Sequence, residues 1–297
     1  MKKLGYIILA FTIAACGSNS FTTENGTKVT YLEKGDGVLP VDSLVSMLRI
    51  KYTTEEGEVM MDASEPMPLK IDPNNVTNQG ELFEVLTQLR TGDSVGFELV
   101  ASELFENTFR APLPDSIAPD SKIKFQIAYI DQLTEQGYYD MVAKKAEEAA
   151  AKQIVVDNEI LDSYLAENNI EAQQTESGLR YVITEEGSGP KPEAGQTVRV
   201  NYAGKVISGE YFDTSIESVA KEQEIFREGR DYAPFSFSLG QGRVIKGWDE
   251  GIALLNEGAK ATLYIPSPLG YGNRGSGPII EPNSILIFDV ELVEIVE

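Results

Sequence analysis

The chain has 297 residues, of which 47 are acidic and 25 are basic, with no histidine and one cysteine. This length suits two ordinary domains, and the formal charge of −22 opposes binding to nucleic acid. Because histidine is absent, the sequence excludes Ser-His-Asp and Cys-His nucleophiles and the usual zinc sites, and with them most hydrolases. We expect no metal site, since no segment carries the spaced carboxylates of a calcium loop.

The first residues are typical of an export signal. Lys2 and Lys3 precede an apolar run at 4–15, which is too short to cross a bilayer as a helix. The run ends in small residues before Cys16, as in the bacterial lipobox. We expect 1–15 to be a signal peptide, Cys16 a lipidation site, and 16–25 a tether. No Asp follows Cys16 directly, which by resemblance to enterobacterial lipoprotein sorting favours the outer membrane. We therefore expect a cell-envelope location, at the periplasmic side of that membrane. A buried free thiol in a short N-terminal helix is the alternative.

An internal repeat predicts two copies of one fold. Residues of the same type recur in the same order, spaced by about 150 positions, among them Gly26 with Gly178, Tyr52 with Tyr202, Asp62 with Asp213, Gly92 with Gly258, and Phe125 with Phe288. We therefore expect one domain at 26–132 and a second at 176–297.

The second copy shows four short strand patterns and one helical pattern. β-Branched and aromatic residues between Gly/Pro turns predict strands at 197–202, 234–239, 261–265 and 285–293. The segment 245–255 predicts one short helix between the second and third strands. Several antiparallel strands with one helix indicate an α+β domain.

The segment 133–175 is predicted to be a helical connector. It is rich in Ala, Glu, Lys and Gln, and Ile160, Leu161, Tyr164 and Leu165 recur at helical spacing. These apolar positions could pack on either domain or on a second chain, so a homodimer stays open.

The second copy carries an ordered set of motifs. In chain order they are Val200–Gly204, Tyr211–Ser215, Pro234–Gly240, Val244–Trp248, Tyr271–Gly272 and Ile279–Asp289. Together, over about 178–297, they closely resemble the FKBP family of peptidyl-prolyl cis-trans isomerases. Each motif alone is weak evidence for the family. The occurrence of all six in this order makes the resemblance specific.

This resemblance implies two FKBP-like domains, each a twisted antiparallel sheet wrapped on a short helix, joined by the helical connector. It also implies an aromatic pocket with Trp248 at its floor. By resemblance the catalytic residues are Asp213, Tyr202, Tyr271 and Phe288, and the substrate-binding residues are Phe212, Phe235, Val244, Ile245, Trp248, Ile279 and Ile280. Any one of these aromatic residues could instead be an ordinary core residue. Asp213 and Tyr202 could likewise form an ordinary structural hydrogen bond.

The implied reaction needs no cofactor. Rotation about a prolyl peptide bond is opposed by amide resonance, with a barrier of about 18–20 kcal/mol, and a dry pocket favours the twisted, less polar amide. The expected partners are proline-containing exported polypeptides, with the membrane reached through a lipid anchor. The alternatives are a tethered holdase that binds apolar segments without turnover, and a purely structural envelope protein.

The sequence departs from the family pattern at three places. An insertion at 216–231 is expected to lie beside the pocket and alter which polypeptides fit. Ser276 stands where many members of the family carry a bulkier residue. The first copy is expected to be degenerate. Aligned by residue type, it keeps Tyr52 and Asp62 but has Met61, Met67, Leu69 and Leu82 at the places of Phe212, Phe235, Phe237 and Trp248.

Overall fold

The computed structural model describes residues 19–75 and 79–296, so the predicted signal peptide and Cys16 lie outside the described residues. The chain divides into two compact units, Met1–Val142 and Ala143–Glu297. Each unit holds one seven-stranded antiparallel sheet.

The strands of the first sheet are β1 (Ser20–Thr22), β2 (Lys28–Glu33), β3 (Val45–Thr53), β4 (Val59–Asp62), β5 (Met67–Lys70), β6 (Ser94–Val100) and β7 (Lys122–Leu133). Their order in the sheet is β1-β2-β6-β7-β3-β4, with β5 also paired to β3. Two short helical segments accompany the sheet: α1 (Glu81–Leu86), and α2 (Ala101–Glu103) followed by a π-helix (Leu104–Phe109).

The strands of the second sheet are β8 (Gln173–Gln174), β9 (Arg180–Glu185), β10 (Thr197–Val206), β11 (Tyr211–Thr214), β12 (Phe235–Ser238), β13 (Lys260–Ile265) and β14 (Leu286–Val296). They repeat the order of the first sheet as β8-β9-β13-β14-β10-β11, with β12 also paired to β10. The helices beside this sheet are α4 (Glu217–Glu222), α5 (Lys246–Ala253) and two 3-10 turns, Ser267–Leu269 and Gly272–Arg274. The α+β architecture with two like domains is thus present.

Two short segments differ from the sequence-based expectation. Ser20–Thr22, expected in the tether, forms strand β1 against Lys28–Thr30, because a turn with Gly26 at φ 92° folds the chain back on itself. Gln173–Gln174, expected in the connector, forms β8 and pairs with β9.

Helix α5 lies close against its sheet through two glycines. A Cβ added at Gly247 would come within 2.5 Å of the Ile265 side chain, and one at Gly251 within 2.6 Å of the Leu263 side chain. Residues four apart lie on one helix face, so this glycine face lets α5 approach β13. Trp248, which follows Gly247, is buried in the core of the second unit.

The connector forms a 33-residue helix, α3 (Glu135–Glu167), whose C-terminal half packs within the second unit. Leu161 and Leu165 are buried in one cluster with Tyr264 and Ile287. The buried Asp157 carboxylate accepts hydrogen bonds from the backbone N–H and hydroxyl of Ser267, both at 2.6 Å. Docking within the chain therefore accounts for Leu161 and Leu165, whereas Ile160 stays exposed. Homodimerisation stays a prediction.

We predict that Leu161→Ala lowers the free energy of unfolding of the second unit by about 2–5 kcal/mol, because it leaves a cavity at a fully buried position. Ile160→Ala is the matched control: Ile160 is adjacent but 45% exposed, and we expect less than about 1 kcal/mol. Urea unfolding followed by the fluorescence of Trp248, the single tryptophan, reports on this unit. Equal losses in the two variants would contradict the docking of α3.

Candidate functional site

The second unit contains a cavity of about 490 Å³ between its sheet, α5 and the loop after β13. It brings together all eleven residues that the sequence singled out for catalysis and substrate binding. Five further residues line it: Arg227, Arg243, Ser276, Gly277 and Pro278.

Trp248 lies at the centre of the aromatic wall. Its ring meets Tyr202 and Phe288 edge-on, with centroids 5.2 and 5.3 Å away, and meets Phe235 at 6.3 Å. Phe212 packs edge-on against Phe288 at 5.5 Å. These are favourable aromatic geometries, so the rings form a stable apolar surface. Within the described part of the chain, the buried Trp248 Nε1 has no hydrogen-bond partner.

Gly204 makes this packing feasible. It lies on β10 two residues after Tyr202, on the same face of the sheet, and pairs with Phe288 on β14. A Cβ at this position would come within 2.6 Å of the Phe288 ring and 2.8 Å of the Phe212 ring. Any larger residue would therefore displace both rings.

Three polar side chains form a network beside the aromatic wall. The Tyr202 hydroxyl donates to Asp213 Oδ2 at 2.5 Å, and Arg230 donates to Asp213 Oδ1 and, at 3.2 Å, to the Tyr202 oxygen. Burial alone would raise the pKa of Asp213, but the hydrogen bonds from Arg230 and Tyr202 outweigh it and hold that pKa below its usual range. Asp213 is therefore an anion fixed in place at neutral pH.

The same network keeps Tyr202 protonated. Burial raises the pKa of its hydroxyl to about 12, and the hydrogen bond to the Asp213 anion acts in the same direction. Burial also raises the pKa of Tyr271, with the negative charge of Asp213 adding to it. Both phenols are therefore hydrogen-bond donors across the physiological range.

Two short loops shape the rest of the cavity. The Asp249 carboxylate on α5 accepts hydrogen bonds from the backbone N–H groups of Gly240 and Gly242, at 2.8 and 3.1 Å. These bonds fix the segment that leads to Val244 and Ile245. The segment 275–280, which we call the flap, is closed by a hydrogen bond from the Ser276 N–H to the Ile280 carbonyl at 2.7 Å. The flap carries Ile279 and the buried Ile280 to the cavity.

Three arginines at or beside the cavity were not predicted from the sequence. Arg230 and Arg227 come from the predicted insertion, and Arg243 precedes Val244. The available signal was charge: two arginines lie within 227–230, a short stretch of a strongly acidic chain. Their contacts depend on how the insertion folds back, which residue types do not specify.

The strand register corrects our alignment of the first unit. The ladders place Tyr52 opposite Met61 and Phe125, as Gly204 lies opposite Asp213 and Phe288. Tyr52 therefore corresponds to Gly204, and the expectation that Tyr52 and Asp62 preserve the Tyr202–Asp213 pair is wrong. The same register puts Ile50 at the place of Tyr202 and Met61, rather than Asp62, at the place of Asp213. The expectation that Met61 stands at the place of Phe212 is therefore also wrong, and Met60 lies there.

Other pairings in the first unit agree with the alignment. Met67 pairs with Leu48 as Phe235 pairs with Val200, and Leu82 precedes Gly92 by the same interval as Trp248 precedes Gly258. Aromatic side chains occupy the space near Tyr52, whose ring lies 5.2 Å from Phe125 and 5.7 Å from Phe109. With Ile50 and Met61 at the places of Tyr202 and Asp213, the described residues of the first unit hold no counterpart of that pair.

Among residues 19–75 and 79–296, no cluster of three His, Cys, Asp or Glu side chains is placed to hold a metal ion. Over the same residues, no helix has the length and apolar character needed to cross a membrane.

Comparison with known proteins matches residues 189–293 to the family model described as FKBP-type peptidyl-prolyl cis-trans isomerase. The FK506-binding protein 1 of Dictyostelium discoideum is 41% identical over 116 residues, which are 39% of this chain and 96% of that protein. The chain belongs to the FKBP family.

A second relative matches over a longer stretch. The probable FKBP-type peptidyl-prolyl cis-trans isomerase FkpA of Neisseria meningitidis serogroup B is 36% identical over 173 residues, which are 55% of this chain. The match spans 58% of the length of that relative. A solved structure titled AtFKBP13 is 34% identical, with a TM-score of 0.36, over 42% of this chain and 99% of that one. The family model lies wholly within the second unit, where the cavity is.

We predict that Arg230→Gln destabilises the second unit in a pH-dependent way. Since Asp213 has a lowered pKa in the folded state, its ion pair stabilises the fold above its unfolded pKa of about 3.9, and this contribution is lost as pH falls through the folded pKa. The difference in unfolding free energy between parent and variant should stay constant from about pH 5 to 8 and shrink below about pH 4.

Urea unfolding at several pH values, followed by Trp248 fluorescence, measures this difference. Arg199→Gln is the control, because its ion pair with Glu294 is more exposed and outside the cavity; its effect should be smaller. A difference for Arg230→Gln that does not change with pH would contradict the proposed charge state of Asp213.

Proposed function

We propose that the second unit catalyses cis-trans isomerisation of prolyl peptide bonds. The observation that carries this proposal is the single cavity in which Trp248, Phe212 and Phe288 meet the Tyr202–Asp213 pair. Membership of the FKBP family supports it.

The cavity suits a reaction in which no bond is broken. The planar amide is polar and well solvated, whereas the twisted amide has lost resonance and much of its carbonyl polarity. An aromatic surface without water favours the twisted form relative to the planar one, and this differential binding lowers the barrier. Phe212, Trp248 and Phe288 provide that surface.

The polar groups orient the substrate. Tyr271 is 40% exposed at the cavity rim and stays protonated, so its hydroxyl can donate to a substrate carbonyl. Asp213, held by Arg230 and Tyr202, presents a fixed negative charge to the cavity. Because neither group needs to exchange a proton, the absence of histidine does not limit this chemistry.

We further propose that the substrates are exported polypeptides and that the chain is lipid-anchored in the cell envelope. The support lies in the sequence: Lys2 and Lys3, the apolar run 4–15 and Cys16. The relatives named FkpA are bacterial proteins, which is consistent with an envelope location. An anchored isomerase would act on chains as they emerge from the membrane.

We predict that the full chain accelerates the isomerisation of an Xaa-Pro tetrapeptide and that Phe212→Ala lowers kcat/KM by about tenfold, equivalent to about 1.4 kcal/mol of transition-state binding. Tyr211→Ala is the matched control. Tyr211 is the neighbouring aromatic residue on β11, faces the other side of the sheet, and lies beneath Lys205 Nζ, 5.4 Å from its ring centroid. We expect this variant to retain parent activity.

Combining Phe212→Ala with Asp213→Ala should reduce the rate to the uncatalysed value, because the first unit lacks the network. Activity remaining in this double variant would assign catalysis to the first unit. If the parent accelerates no peptide but suppresses aggregation of an unfolded protein, the non-catalytic holdase becomes the better description.

We predict that expression in a bacterium with labelled fatty acid labels the chain, and that mass spectrometry finds residues 1–15 removed. Cys16→Ser should abolish labelling, since the thiol is the acylated group. Unlabelled, unprocessed parent chain would contradict the anchor, without bearing on the isomerase.

A further inference from the structure

The cavity rim carries two arginines that no residue of the described chain neutralises. Arg227 and Arg243 both line the cavity and are exposed. Across residues 19–75 and 79–296, neither side chain forms an ion pair or hydrogen bond. This is notable in a chain with a formal charge of −22, where carboxylates are the commoner neighbours.

The backbone holds both arginines in place. The Arg227 N–H donates to the Tyr232 hydroxyl at 2.9 Å, and the Tyr232 ring stacks on Phe226 at 5.6 Å. Arg243 directly follows Gly242, whose N–H is bound by Asp249. The positions of the two side chains at the rim therefore follow from ordered local structure.

The cavity's own carboxylate does not offset these charges. Asp213 is the one acidic residue among the cavity lining, and it is already paired with Arg230. Within the described residues, the two rim arginines are therefore unpaired guanidinium groups at the cavity. Guanidinium groups bind carboxylates with two parallel hydrogen bonds, so the rim is suited to an acidic side chain of a bound polypeptide.

We propose that Arg227 and Arg243 select substrates with an acidic residue close to the proline. This inference rests on the proposed isomerase function and adds its substrate class. Acidic side chains near the proline meet the rim arginines, whereas lysine side chains are repelled. Arg227 belongs to the insertion and Arg243 does not. The preference for acidic substrates therefore depends on the insertion as well as on the pocket.

The experiment measures kcat/KM on peptides that share one Xaa-Pro core, with Glu, Gln or Lys placed at each flanking position in turn. We expect kcat/KM for Glu to exceed that for Lys at least about threefold at one or more positions, the scale of an exposed ion pair, with Gln between them. Raising the salt concentration should reduce the ratio.

Charge reversal at both arginines, R227E with R243E, should invert this preference. Lys152→Glu with Lys191→Glu is the matched control: it changes the net charge equally, at two exposed positions of the same unit outside the cavity lining. This control should keep the parent's preference for Glu.

Equal kcat/KM for the Glu and Lys peptides, or an unchanged preference in R227E/R243E, would overturn the proposal. Failure of the proposed function gives a different result, in which the parent accelerates none of the peptides, including the Gln series. In that case, fluorescence anisotropy with the labelled Glu and Lys peptides tests the rim: tighter binding of the Glu peptide supports it, and equal binding refutes it.

Discussion

The site depends on the absence of a side chain at Gly204. Its backbone passes so close to Phe212 and Phe288 that a Cβ would overlap both rings, and those rings complete the wall around Trp248. At the corresponding register position the first unit has Tyr52, whose ring contacts Phe125 and Phe109. The first unit therefore has an aromatic ring at the position where the second unit has only the backbone of Gly204.

The polar network depends on parts distant in sequence. Tyr202 comes from a central strand, Asp213 from its edge neighbour, and Arg230 from the far end of the insertion. Burial would raise the pKa of Asp213, and the hydrogen bonds from Arg230 and Tyr202 lower it below its usual range. The connector contributes as well: Asp157 on α3 binds Ser267, where the chain leaves β13 toward Tyr271. The long helix is therefore part of the framework that positions the rim.

The sequence predicted the elements of the second unit closely and failed on register in the first. Strand patterns at 197–202, 261–265 and 285–293 lie within or nearly within the observed strands, because alternation of apolar residues depends on local burial. Matching Tyr52 with Tyr202 by residue type was wrong. The register of a strand is set by its pairing with strands distant in sequence, and the type of a single residue does not reveal that register. Arg230 was missed for a related reason: its position depends on the path of a long loop.

The two units show that the fold does not need the site. Their strand orders are the same and each sheet buries its own apolar core, yet the residues at the positions of Tyr202 and Asp213 differ in chemistry. Core stability comes from burial of apolar area, which many residues of similar size supply equally well. The Tyr202–Asp213 pair at the edge of the cavity contributes little to that total, and the Asp213 carboxylate needs a partner such as Arg230 to be tolerated. Its retention in the second unit is therefore best explained by what the cavity binds.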